Sequence, residues 1–77
     1  MSIQETVMNL LKEIKPTKDL SGLTDIVEGG YLDSFEVMTL IMLLGETFGI
    51  EIDFDEITAE NFNSVEAIVA MVERLKK

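Results

Sequence analysis

The stretch "LDSFEVMTLIMLLGETFGIEI", residues 32–52, carries the strongest helical pattern of this 77-residue chain. Its apolar residues recur at the spacing of one helical face. That face comprises Val37, Leu40, Ile41, Leu44 and Phe48. Asp33 is a good N-cap with Glu36 three residues later, and Gly49 suits the C-cap. We therefore predict a helix that starts at Ser34, or one residue before, and ends at Gly49.

A first helix and a long connection precede this stretch. Ser2 and Glu5 have the spacing of a capping box, and Pro16 should end the helix at the residue before it. The apolar face of this helix comprises Ile3, Val7, Leu10, Leu11 and Ile14. Residues 15–32 then form a connection whose length is unusual in a small domain and is often functional. Its apolar residues should pin it to the core, with a helical turn near Leu23 to Val27.

The C-terminal part of the chain predicts two more helices. Residues 50–57, "IEIDFDEI", alternate like a strand, but no second strand is available to pair with them. We expect instead a loop that turns three apolar side chains inward: Ile50, Ile52 and Phe54. Thr58 caps a short third helix, and Asn63 with Glu66 begins the fourth. The apolar face of the fourth helix comprises Val65, Ile68, Val69, Val72 and Leu75. Two cations at its C-terminal end favour the helix dipole: Lys76 and Lys77.

These elements predict an all-α fold, a four-helix bundle with one short helix and a long first loop, in a single domain over residues 1–77.

The chain has no cysteine and no histidine, which excludes disulfides, thiolate nucleophiles, imidazole bases and the usual zinc ligands. Fifteen acidic residues against six basic ones give a formal net charge of -9. Nucleic acid and anionic lipid are therefore poor partners, and basic protein surfaces are good ones. Without a membrane span or a signal peptide, a cytoplasmic monomer is expected.

The acidic segment at residues 50–57 does not fit a calcium-binding loop. In one register, which ends at Glu56, the early ligand positions carry no carboxylate. In the other, which starts at Asp53, Ile57 falls on a ligand position and Thr58 replaces the required glycine. No metal site is predicted.

Asp33 and Ser34 are the candidate functional pair. Such a pair at a helix start is weak evidence alone, because both residues are common caps. The free N–H groups and the positive end of the helix dipole would nevertheless stabilise a phosphate ester on Ser34. No histidine or lysine adjoins Ser34 to activate its hydroxyl. We therefore predict that Ser34 is an acceptor modified by another enzyme and not a catalytic nucleophile.

A strip of partly exposed apolar residues is predicted to extend from Ser34 along the same helix. Its members lie near one line with Ser34 or just outside it: Met38, Ile41 and Gly45, with Phe35 and Met42 on the outer side. Methionines re-pack easily and are common on surfaces that meet several partners. Ordinary core filling explains the two methionines equally well.

The chain resembles the acyl and peptidyl carrier proteins of the phosphopantetheine-binding family. Residues 32–52 match the family pattern of Asp-Ser, a large apolar residue, an apolar helix, and Phe-Gly-Ile about one helix length later. Residues 57–72, "ITAENFNSVEAIVAMV", are similar to the third and fourth helices of the family. With the length, the acidity and the long first loop, the resemblance covers essentially the whole chain.

The resemblance implies that Ser34 is esterified by 4'-phosphopantetheine, delivered from coenzyme A by a phosphopantetheinyl transferase. Asp33 would then lie close to the metal of the transferase and the phosphate. The terminal thiol would carry an acyl or aminoacyl thioester in a lipid, polyketide or nonribosomal peptide pathway, so the protein would not be an enzyme. An adenylating acyl or aminoacyl ligase and downstream acyl-transfer enzymes would read the surface formed by Phe35, Glu36, Met38, Thr39, Met42, Gly45 and Glu46.

Two positions depart from the fatty-acid members of the family, which place acids where Thr39 and Gly45 stand. Glycine inside a helix costs about 1 kcal/mol relative to alanine, so Gly45 requires a reason. Its missing side chain would let a partner or the arm approach closely, and a neutral substitution is the alternative.

Residues 60–68, "ENFNSVEAI", are similar to stand-alone carriers that work with an adenylating ligase, including D-alanyl and aminoacyl carriers. The alternative function is a small helical interaction module, or a degenerate carrier, in which Asp33 is only a cap.

Overall fold

A computed structural model describes residues 2–76 and contains only helices, turns and loops over that range. Its four α-helices are α1 (Ile3–Ile14), α2 (Ser34–Phe48), α3 (Ala59–Phe62) and α4 (Val65–Leu75). A single turn of 3-10 helix, Phe54–Glu56, lies between α2 and α3. α1 packs against both α2 and α4, and α3 packs against α4. The predicted all-α fold, with one short helix and a long first loop, is confirmed.

The core draws side chains from all four helices and from the long loop. Leu40 and Leu44 are the fully buried residues of α2, while Val37, Ile41 and Phe48 pack at the edge of the core. α4 contributes Met71 in addition to the predicted face. The loop contributes three buried residues, Leu20, Ile26 and Leu32, so the prediction that it is pinned to the core is confirmed.

The helix ends follow the predicted chemistry with one exception. α1 begins at the capping box of Ser2 and Glu5, and α2 ends at Gly49, whose φ of 64° is in the left-handed region that favours glycine. The predicted N-cap of α4 at Asn63 is wrong by one residue, because the Ser64 hydroxyl accepts the hydrogen bond from the Ala67 N–H at 3.0 Å. The prediction for Lys77 lies outside the described residues.

The loop before α3 differs from its prediction at Phe54. Ile50 and Ile52 are partly buried as expected, but the Phe54 ring is 86% exposed. The expectation assumed an extended chain in which every second side chain points inward. The chain instead closes a turn, in which the Ile57 N–H donates to the Phe54 carbonyl at 3.0 Å. The turn breaks the alternation and leaves Phe54 facing solvent.

The long first loop contains turns but no helix within residues 15–32. The expected turn near residues 23–27 lies slightly later, where the Ile26 carbonyl accepts from the N–H groups of Tyr31 and Leu32. Gly29 is needed at this turn, because a Cβ there would lie 2.7 Å from the Asp25 carbonyl oxygen. After this turn the chain continues directly to the start of α2.

Candidate functional site

Ser34 is the first residue of α2, and its side chain is exposed. Asp33 caps the helix: its Oδ1 accepts from the Glu36 N–H at 2.8 Å, and Glu36 Oε1 accepts from the Asp33 N–H at 3.0 Å. The side-chain hydrogen bonds described at this corner use Asp33 and Glu36 and leave the Ser34 hydroxyl unengaged. The structure therefore presents Ser34 on a fixed helix end with a hydroxyl that is open to chemistry.

A second contact fixes the same corner from α1. The ammonium group of Lys15, the C-cap residue of α1, lies 3.1 Å from Glu36 Oε2 and 3.3 Å from Oε1. Because Glu36 also binds the Asp33 N–H, one carboxylate joins the end of α1 to the cap of α2. An ion pair of this partial exposure adds little stability, so its main effect is geometric.

Two open grooves flank the start of α2. The first, of about 440 Å³, lies between α2 and α3 and includes Ser34 itself. Val27 from the loop, Met38 from α2 and Phe62 from α3 line its apolar walls. The second groove, of about 400 Å³, lies between α1 and α2 and includes Phe35 and Thr39. Either groove offers apolar surface next to the serine.

A phosphate ester on Ser34 is compatible with this corner. The helix start supplies N–H groups that lack intrahelical partners and the positive end of the dipole of a 15-residue helix. The hydroxyl faces solvent, so a transferase can reach it without unfolding the helix. The grooves beside it give a flexible arm apolar surface on which to lie. These residues fit a covalently attached phosphopantetheine.

The predicted partner face is exposed at its apolar members. Phe35, Met38 and Met42 are 79%, 54% and 63% exposed, and Glu46 is exposed at the far end of α2. Ordinary core filling, the alternative for the two methionines, is therefore wrong. The face is not a single strip, because Met38 borders the α2–α3 groove whereas Phe35 and Thr39 border the α1–α2 groove. Binding of a partner to these residues stays a prediction.

Gly45 lies close to the chain that follows α2. A Cβ at this position would lie 3.3 Å from the Ile50 carbonyl oxygen, and Gly45 is itself partly buried. Close approach of a partner or of the arm at Gly45 stays a prediction. Thr39 is also partly engaged, since its hydroxyl donates to the Phe35 carbonyl at 3.1 Å.

Sequence reasoning misplaced two residues outside the Asp33–Ser34 pair. Phe54 is the most exposed of the large apolar side chains that the structure describes, and the apparent alternation of its segment concealed it. Asn63 was taken for a helix cap, but it binds the backbone of the long loop at Val27 and Glu28. No local sequence pattern predicts this contact, because its partners lie 35 and 36 residues away along the chain.

The accessible serine at the capped start of α2 is compatible with an attached group, and comparison with known proteins shows which family the chain is similar to. A family model described as "Phosphopantetheine attachment site" matches residues 2–72. D-alanyl carrier proteins from Streptococcus pyogenes serotype M5 (strain Manfredo), serotype M49 (strain NZ131) and serotype M1 are each 36% identical to this chain over 78 residues. These alignments cover 99% of this chain and 98% of each relative.

The chain belongs to the phosphopantetheine-attachment family. It is a carrier protein whose cofactor is covalently attached 4'-phosphopantetheine, and it is not an enzyme. None of the helices between residues 2 and 76 combines the length and the apolar character needed to traverse a bilayer.

Proposed function

We propose that Ser34 is the attachment residue and that Asp33 assists attachment from its place beside it. The observation that supports this is an exposed, unengaged hydroxyl at the capped start of α2. In the transferase reaction, a new P–O bond forms at Ser34 Oγ, the hydroxyl proton passes to a base on the transferase, and adenosine bisphosphate leaves coenzyme A. The exposed Asp33 carboxylate would lie next to the phosphate ester formed on Ser34 and is suited to approach a metal ion held by the transferase.

The arm would make the chain a shuttle between partner enzymes. When bound, phosphopantetheine supplies a terminal thiol that holds cargo as a thioester, which provides the sulfur that a chain without cysteine lacks. The residues of the chain itself fix the attachment corner, offer apolar grooves beside it and expose a face along α2. The partner-binding part of that face comprises Phe35, Met38, Thr39, Met42 and Glu46, with Glu36 and Gly45 at its margins.

We further propose that the cargo is a small aminoacyl group, loaded in the cytoplasm by an adenylating ligase. The names of the relatives, D-alanyl carrier proteins, support this class of cargo. The groove beside Ser34 is open, so it would cover only part of a long acyl chain. A long acyl chain left there would keep apolar surface in water, at a cost of about 25 cal/mol per Å².

Attachment at Ser34 is tested by intact mass. After incubation with coenzyme A and a broad-specificity transferase, the wild-type protein should gain the mass of one phosphopantetheinyl group, and Ser34→Ala should gain none. Ser21→Ala is the matched control, because Ser21 is also exposed but lies in the long loop, and it should be modified normally. Modification of Ser34→Ala would refute the assignment. An unmodified wild-type protein would favour the alternative, a helical interaction module.

Loading of the arm tests the class of cargo. The modified protein, ATP and a ligase that adenylates D-alanine should yield a product heavier by one alanyl group, which Ser34→Ala cannot form. A parallel reaction with a ligase that adenylates a medium-chain fatty acid should load more slowly. Efficient fatty-acyl loading without alanyl loading would contradict the aminoacyl proposal and leave attachment at Ser34 intact.

A further inference from the structure

Phe54 projects from the single turn of 3-10 helix that precedes α3. Its ring is 86% exposed, more than any other large apolar side chain that the structure describes. The backbone beneath the ring is fixed, because the Glu56 N–H donates to the Asp53 carbonyl at 2.9 Å and the Ile57 N–H donates to the Phe54 carbonyl at 3.0 Å. An apolar ring held in this way keeps its surface in water, and a partner that covers it gains the free energy of its burial.

Side chains from α3 and α4 hold the same turn in place. Glu56 Oε1 accepts from Arg74 Nη2 at 2.7 Å and from the Asn61 side-chain Nδ2 at 3.2 Å, and that Nδ2 also donates to the Glu56 carbonyl at 2.8 Å. The turn therefore needs little further ordering when a partner binds, which lowers the entropic cost of binding. The Phe54 ring is not needed to hold the turn, since these contacts come from the backbone and from Glu56.

The segment that carries Phe54 runs back along α2 towards Ser34. At its beginning, near the end of α2, the Ile50 N–H donates to the Gly45 carbonyl at 3.3 Å. At its end, Ile57 lines the groove between α2 and α3 that includes Ser34. Phe54 lies between these two points along the chain. A protein that docks over this groove would therefore also meet the segment that presents the ring.

The charge around the ring indicates the chemistry of the partner that would cover it. Three exposed acids accompany the ring in the sequence: Glu51, Asp53 and Asp55. All six basic residues of the chain lie outside residues 19–73, and Arg74, which reaches this turn, pairs with Glu56 instead. A second copy of the chain or an anionic membrane would place like charges against these acids, whereas a basic protein surface complements them.

We propose that Phe54 is an anchor for the loading ligase, and that its ring enters an apolar pocket of the ligase rimmed by lysine or arginine side chains. The proposal rests on the proposed function, because the ligase is the partner that loads the arm on Ser34. An aromatic ring at the centre of a contact supplies apolar burial, while acids at its rim steer a basic partner and tune the association rate. The loop before α3 thus has a binding role separate from the one predicted for Met38 and Met42.

Steady-state loading tests the anchor in the protein with its arm. With a ligase that adenylates D-alanine, Phe54→Ala should raise the KM for the carrier about tenfold and leave kcat unchanged, because the ring contacts the ligase and not the reacting thiol. Phe54→Leu should recover most of the loss, since it keeps an apolar side chain. Asn9→Ala, at an exposed position on α1, is the control and should load like the wild type. Equal KM values for Phe54→Ala and the wild type would overturn the proposal.

A matched pair of double variants tests the acids beside the ring. Asp53→Asn with Asp55→Asn, and Glu66→Gln with Glu73→Gln on α4, each remove two exposed carboxylates and so change the net charge equally. Asp53 makes no side-chain cap to its turn, so its replacement should leave the turn intact. At low salt the first pair should raise KM about threefold and the second pair less, and high salt should remove the difference. Equal effects of the two pairs would refute the basic rim.

Two further measurements test other occupants of the Phe54 surface. The wild type should sediment as a monomer and should not bind vesicles of phosphatidylcholine and phosphatidylglycerol. A dimer or a vesicle complex that Phe54→Ala abolishes would make a second copy or a membrane the occupant, and either result would overturn the proposal. A wild type that takes up the arm but accepts no alanyl group would refute the proposed cargo and, with it, the ligase as the partner. A wild type that takes up no arm would refute attachment itself.

Discussion

Replacing Phe62 with alanine should destabilise the protein by about 3–5 kcal/mol, the loss expected for a buried phenylalanine. Its ring is only 1% exposed and belongs to the core cluster, although α3 has four residues. Domains of this size have total stabilities of about 5 kcal/mol or little more, so much of the Phe62→Ala protein should be unfolded at room temperature. Urea unfolding followed by far-UV circular dichroism will measure the change.

The chain offers a matched control for this experiment. Phe54→Ala removes the same ring from a position that is 86% exposed, and it should change the free energy of unfolding by less than about 0.5 kcal/mol. Equal effects of the two substitutions would mean that α3 does not seat Phe62 in the core. Phe62 also lines the groove beside Ser34. In Phe62→Ala molecules that stay folded, the width of that groove would show how far this side chain determines it.

Loading by the cognate ligase should fall about tenfold in Met38→Ala and in Met42→Ala, the loss typical of a contact at the centre of an interface. Both side chains are more than half exposed, so their truncation leaves no cavity in the core. Glu46→Gln should lower the rate only about twofold, because an exposed acid at the rim mainly steers a basic partner. Loading rates at a carrier concentration below saturation will compare the three variants.

Each variant must first be shown to fold and to carry the arm, so that a change in loading reports on docking. A salt series adds a second criterion, since a steering effect weakens with ionic strength whereas an apolar contact does not. If Glu46→Gln were the most damaging change and its effect disappeared at high salt, recognition would be electrostatic. The exposed methionines of α2 would then not determine recognition.

Local chemistry was sufficient to predict most of the fold. The caps at Ser2, Asp33 and Gly49 each follow from one or two residues acting within a single turn, and all three are confirmed. The exposure of Met38 and Met42 also followed from the 3.6-residue period of α2, because Leu40 and Leu44 face the core on the other side.

Local chemistry could not predict contacts between distant parts of the chain. The short distance between Gly45 and the Ile50 carbonyl depends on how the chain leaves α2. Phe54 was predicted to face inward because a turn and an extended segment can share the same short alternating pattern. Only the backbone hydrogen bonds distinguish the two, and here they form a turn. Ser34 itself was predictable as a helix start, whereas the grooves on either side of it required the packing of α1 and α3.

The contact between Lys15 and Glu36 has a consequence for recognition. On the predicted partner face, Glu36 is the acid nearest to Ser34, the proposed attachment residue, yet it already holds an internal counter-ion at 3.1 Å. An arginine of a basic partner that displaced Lys15 from Glu36 would exchange one cation for another, with little electrostatic gain. The displacement would also remove the contact between the end of α1 and the cap of α2. We therefore expect the Lys15–Glu36 pair to lessen the effect of a docking protein's charge on the corner that bears Ser34.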